Sequence, residues 1–185
     1  MPGDVVDDLL PAEWAALGVV ASGPTHGYDV ARALGEDGVL GHVSTVPRPL
    51  VYRALQQLEQ GGLVEAVGVE ASARGPRRTT LRVTRRGRAR LKRWLGEPVE
   101  RPRDVRSMLM LKLALLHERG DDLRPLLAAQ REVMDRRVRE LRAERLASGG
   151  FDRTLLAWRL EYALGVVRFL AVAEKEAVAT LDGGR

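Results

Sequence analysis

The chain has 185 residues, 30 of them Lys or Arg and 25 Asp or Glu, a net charge of +5, and no cysteine. A chain of this length buries roughly 70% of its unfolded surface, so it needs no disulfide staples. The missing cysteines exclude thiolate metal sites and cysteine nucleophiles. No apolar run approaches the ~20 residues that span a bilayer. Residues 1–8 are acidic rather than a basic leader, so the expectation is a soluble, cytoplasmic protein with no membrane partner.

Leu9 to Ala21 predicts a first helix, with Pro11 tolerated in its first turn and Trp14, Leu17, Val20 and Ala21 recurring at helical spacing. Gly23-Pro24 stops it, and Thr25 is placed to cap a second helix, His26 to Gly35. After a loop from Glu36 to Val46, Pro49 suits the first position of a third helix, whose buried stripe is Val51, Leu55 and Leu58. Arg53, Gln57 and Gln60 lie together on another face. Gly61-Gly62 ends this helix. Leu63–Val69 and Thr79–Thr84 then read as two strands, joined by a loop containing Ser72, Gly75 and Pro76. A fourth helix, Arg85 to Leu95, carries Ala89, Leu91, Trp94 and Leu95 as its apolar residues.

Residues 97–102, with two prolines, predict a linker between domains 1–97 and 98–185. Three longer helices follow. Asp104–Glu118 is apolar over most of its circumference, which predicts burial on more than one side. Asp121–Leu146 carries Leu127, Met134, Val138 and Leu141 in coiled-coil-like steps. The last helix, reaching about Thr180, is expected to start with Asp152 as its cap and with Phe151 and Leu156 as a hydrophobic staple.

Charge is not spread evenly over this plan. Ten Lys or Arg residues and no acidic residue fall between Ala71 and Gly96, while the rest of the chain, with 20 basic and 25 acidic residues, is −5. A helix beside so basic a hairpin is the outline of a winged helix-turn-helix with duplex DNA as its partner, since counterion release rewards clustered cations. The N-terminal turn of a recognition helix normally reaches base edges, which singles out Arg48 and Arg53. Leu50, Tyr52, Gln56 and Gln57 are the further candidates on that helix, and Arg74, Arg77, Arg78 and Arg82 those of the wing. His26, His42 and His117 lie in unrelated elements, so no metal site is expected. No phosphate loop, nucleophile–base pair or carboxylate constellation points to an enzyme or a cofactor.

Three segments together resemble the PadR family of bacterial transcriptional regulators. They are Leu17–Tyr28 with its Gly-Pro and His-Gly-Tyr, Val51–Val64 with its Tyr, paired Leu and Gly-Leu exit, and Gly75–Gly87 with its Thr-x-x-Gly turn. Leu111–Leu113 and Arg168–Leu170 resemble pieces of the family's C-terminal helical domain. The chain departs from the family at Pro49 and Leu50, where Gly and a small polar residue are usual, at Arg53, where Pro is common, and at Leu81, where Tyr is usual. The resemblance implies a mainly α protein. Its N-terminal winged helix-turn-helix would have three or four helices and a two-stranded β-wing, and its C-terminal domain would be all-helical and dimerising. It implies a homodimeric, ligand-responsive repressor on a pseudo-palindromic operator. His26 takes a structural role between helices, and Trp14, Trp94 and Trp158 are candidates to line a pocket for a small apolar or aromatic effector. The alternative is a winged-helix module that binds an acidic protein partner without specific DNA binding.

Overall fold

The computed structural model describes residues 9–70 and 78–182. The chain divides into two compact units, Met1–Trp94 and Leu95–Arg185. In the first, α1 (Pro11–Ala21) begins where Pro11 needs no N–H partner and where the Glu13 carboxylate accepts the Leu10 N–H at 2.8 Å. Residues 14–18, Val20 and Ala21 are all buried, so α1 is wrapped by α3 and the sheet rather than laid on a surface. The other elements are β1 (Thr25–His26), α2 (Gly27–Ala33), α3 (Arg48–Gln60), β2 (Val64–Glu70), β3 (Arg78–Val83) and α4 (Arg85–Gly96).

The sheet has three antiparallel strands in the order β1-β3-β2, where the sequence predicts two. Thr25 does not cap α2. Thr25 and His26 run extended and pair with Leu81 and Thr80 on the second edge of β3, and α2 starts at Gly27 with no side-chain cap on its first turn. His26 Nδ1 lies 3.2 Å from the Thr79 carbonyl, so its structural role is between strands rather than between helices. Pairing there covers an edge that β3 would otherwise leave open. On the other edge, Val67 is an extra residue: Ala66 faces Leu81 and Gly68 faces Thr80. Leu81 and Val83 enter the core and Arg82 points outward, as the alternation predicts.

Thr84 joins the sheet to α4. Its hydroxyl donates to the Gly62 carbonyl at 2.8 Å and accepts the Gly87 N–H at 3.0 Å, while its own N–H donates to Leu63 at 3.0 Å. Gly87 lies so close to the Leu63 carbonyl that any Cβ would collide with it. Further along, Trp94 stacks on Trp14 of α1 with ring centres 4.3 Å apart and 6° between planes. The Arg90 guanidinium lies 5.4 Å from the centre of the Trp14 ring.

The second unit opens with a 3₁₀ turn (Pro102–Asp104) and a π-helical turn (Val105–Leu109), which leads into α5 (Met110–Glu118). The sequence predicts one helix from Asp104. The wider π turn instead places Val105 and Leu109 both inward before α-helical winding resumes. α6 (Arg124–Ala147) and α7 (Gly150–Asp182) form an antiparallel pair, cored by Val138 and Leu141 against Leu156, Leu160 and Ala163 and tied by an Arg131–Glu174 ion pair at 3.3 Å. α7 starts before its expected cap. Asp152 lies inside the first turn, where its charge suits the positive end of the helix, and Phe151 is exposed rather than stapled to Leu156. Among the described residues, no helix is long and apolar enough to cross a membrane.

Candidate nucleic-acid interface

α3 has two chemically distinct sides. Val51, Ala54, Leu55 and Leu58 are buried against α1 and α2, the first of these at zero exposure. Opposite them Pro49, Arg53, Gln56 and Gln60 follow one another at i, i+4, i+7 and i+11, all exposed. Arg48, Leu50, Tyr52 and Gln57 are also exposed, on the flanks of this ridge. The structure therefore places all six α3 residues singled out from the sequence on the exposed part of the helix, together with Gln60, which the sequence reading set on the same face as Arg53.

Two of these side chains are held by α2. The Arg48 guanidinium carbon sits 5.3 Å from the centre of the Tyr28 ring, a cation–π contact. Tyr52 lies over Gly27, where an added Cβ would stand 3.0 Å from the ring. The His-Gly-Tyr sequence thus has a local reason: His26 anchors the strand, Gly27 makes room for Tyr52, and Tyr28 supports Arg48.

The cations of the basic segment fall on two elements. Among the described residues, Arg78 and Arg82 belong to β3. Arg85, Arg86, Arg88, Arg90, Lys92 and Arg93 belong to α4, so the hairpin is less densely charged than the linear count implies. Arg74 and Arg77 lie outside the described residues, and Arg78 is placed only as the first residue of β3. Arg82 reaches across to Glu65 on β2, with its Nε and Nη2 at 3.1 and 2.8 Å from one carboxylate oxygen. Both groups remain about half exposed, so the pair is weak and a phosphate can compete for the guanidinium.

Residues 16–93 match the family described as the Transcriptional regulator PadR-like family. These residues are a PadR-like domain. Bacillus subtilis PadR, solved in complex with operator DNA, is 19% identical; the match covers 89% of this chain and 98% of that one, with a TM-score of 0.45. The same protein solved with p-coumaric acid matches over 90% of this chain and 95% of that one at 19% identity and a TM-score of 0.42. A Streptococcus mutans UA159 protein is 16% identical over 87% of this chain and 96% of its own, with a TM-score of 0.43. No match is found among the curated proteins. In the PadR-like domain, Thr84-x-x-Gly87 both caps α4 and lets it approach the Leu63 carbonyl at the exit of α3. The similarity of residues 16–93 is thus to a family of transcriptional regulators.

The three tryptophans are divided between the two units. Trp14 and Trp94 are buried against each other in the PadR-like unit, filling space rather than walling an open pocket. Trp158 belongs to the second unit. It is 65% exposed and lies with Tyr162 on one wall of a cavity of about 900 Å³. Sequence reasoning missed two polar residues beside this region. Gln130 is wholly buried, accepts the Val99 N–H at 2.7 Å and donates to the Val99 carbonyl at 2.8 Å. Lys112 is 3% exposed and donates to the Glu97 carbonyl at 2.5 Å. Burial lowers its pKa to about 8, with nearby Glu97 opposing that shift. Glu97 and Val99, in the stretch predicted as a linker, are therefore fastened to α5 and α6.

Proposed function

We propose that this chain is a sequence-specific, ligand-responsive transcriptional repressor that binds a pseudo-palindromic DNA site as a homodimer. The observation that carries the reading is the division of α3. Its apolar side is fully committed to the fold, which leaves an exposed ridge of hydrogen-bonding side chains with Arg48 and Arg53 at its N-terminal end. A ridge of this kind suits the major groove, where an arginine can bridge O6 and N7 of a guanine. Tyr52 and the wing residues Arg74, Arg77, Arg78 and Arg82 serve the phosphates, and a small apolar or aromatic effector tunes the affinity.

The dimer reading rests on a second stripe of α7. Phe151, Leu155, Trp158, Tyr162, Phe169 and Val172, with Gly165 between them, follow alternating steps of four and three, and four of the six large side chains are exposed. An uncovered heptad seam favours a second copy of the same helix. A two-fold pair then matches half-sites about 34–36 Å apart. The test uses a duplex selected from random DNA by this chain. Arg53→Ala should weaken binding to it by about 1–3 kcal/mol and relax preference at one base per half-site. A chain whose affinity neither falls with salt nor distinguishes the selected duplex from random DNA would refute the reading and favour a protein-binding module.

A further inference from the structure

The leading turn of α3 lacks the polar start that most helices have. Pro47 stands at the N-cap with no side-chain hydrogen bond, and Pro49 and Leu50 follow close behind, all three exposed and Leu50 at 47%. The two prolines carry no N–H, and the N–H groups of Leu50 and Val51 both donate to the Pro47 carbonyl, at 2.9 and 3.1 Å. Apart from Arg48, this turn offers little to a phosphate or a polar base edge. Its face is also defined. Leu50 stands three residues before Arg53 and seven before Gln57, which sets the three in one row on an exposed flank of the helix. Arg48 and Tyr52, seated on Tyr28 and Gly27 of α2, lie on the other flank.

Apolar surface left in water becomes favourable once an apolar group covers it. The major groove presents donors, acceptors and one such group, the 5-methyl of thymine. We infer that Leu50 is a specificity-determining residue that packs on the 5-methyl group of a thymine beside the base pair read by Arg53. The inference rests on the reading of α3 as a major-groove helix and adds a chemical preference to it. Side chains three apart on a helix have Cβ atoms about 5–6 Å apart, and successive bases rise about 3.4 Å. The thymine therefore lies one or two base steps from the guanine of Arg53, in both half-sites.

The full chain is used to select a duplex from synthetic random DNA, in which thymine is the only source of the methyl group. Each thymine fixed by selection is then replaced singly by deoxyuridine, which deletes the methyl and keeps every hydrogen bond of the pair. The expected result is one thymine per half-site whose methyl is worth about three- to fivefold in affinity, within two steps of the base whose preference relaxes in Arg53→Ala. In Leu50→Ala the thymine and deoxyuridine duplexes bind equally, whereas Tyr52→Phe retains the deoxyuridine penalty. A penalty undiminished in Leu50→Ala, or lost in Tyr52→Phe as well, overturns the assignment. Leu50 is exposed, so its truncation should leave the fold intact; if circular dichroism shows otherwise, the deoxyuridine series on the wild-type chain decides. Selective binding with no thymine whose methyl matters removes this inference and leaves the repressor reading standing. Failure to distinguish the selected duplex from random DNA removes both.

Discussion

Replacing Lys112 with methionine removes a buried ammonium while keeping the length of the side chain, and its effect on stability should depend on pH in one direction. With a pKa of about 8 in the folded chain against 10.5 ordinarily, Lys112 loses its proton on folding across the interval between those values. There the unfolded state binds more protons than the folded one, so the stability of the wild type rises with pH. Below about pH 8 both states are charged and the full desolvation cost is present; above about pH 10.5 both are neutral and it is gone. The gap between the two pKa values corresponds to about 3 kcal/mol. Lys112→Met has no such titration, and it loses the hydrogen bond to the Glu97 carbonyl, worth about 1 kcal/mol, together with the attraction of the Glu97 carboxylate. The variant should therefore be the more stable protein near pH 7 and lose that advantage by about pH 10. Urea unfolding of both proteins, followed by far-ultraviolet circular dichroism at several pH values, measures the difference directly, since other titrating groups are common to both. A pH-independent difference, or one that grows as pH rises, would show that Lys112 is not charged and desolvated in its site.

Glu65→Gln should free Arg82 from its cross-strand partner, tighten binding to any duplex by a few-fold and steepen the salt dependence by about one phosphate contact per chain; an unchanged slope would place Arg82 away from DNA. Gly87→Ala should lower stability by about 2–3 kcal/mol, because the new methyl meets the Leu63 carbonyl and the backbone must move, and a melting temperature within a degree of wild type would contradict that packing. Val172→Glu alters a side chain exposed in the single chain, so it should leave folding intact yet dissociate the dimer in sedimentation at micromolar concentration. A variant that remains dimeric would exclude the outer stripe of α7 as the interface.

What could be read in advance follows the strength of local signals. The stripe Val51, Leu55, Leu58 was legible because period, polarity and a proline start all agree, and each of those residues is buried. The seam of α6 was legible for the same reason, but its seven-residue gap between Leu127 and Met134 hid Gln130, which is buried in place of an apolar residue. Polar residues read as surface unless their partner is known, and the partner of Gln130 is backbone 31 residues away. β1 escaped because two residues carry no periodicity, and its pairing with β3 depends on residues more than 50 positions later. The exposed residues of α3 could be chosen from spacing alone. That Arg82 is paired and that Trp14 and Trp94 fill each other's space could not, since both depend on which elements face each other.

The short strand β1 has a mechanical consequence. Its two residues lie on the middle strand of the sheet, and the next two, Gly27 and Tyr28, carry the seats of Tyr52 and Arg48. β3 and the leading turn of α3 are thus linked through β1 and the start of α2. The number of residues from Thr79 to Thr84 is not free. Adding one there would turn Leu81 outward, unseat His26 from Thr79, and shift two side chains of a different helix without touching either of them.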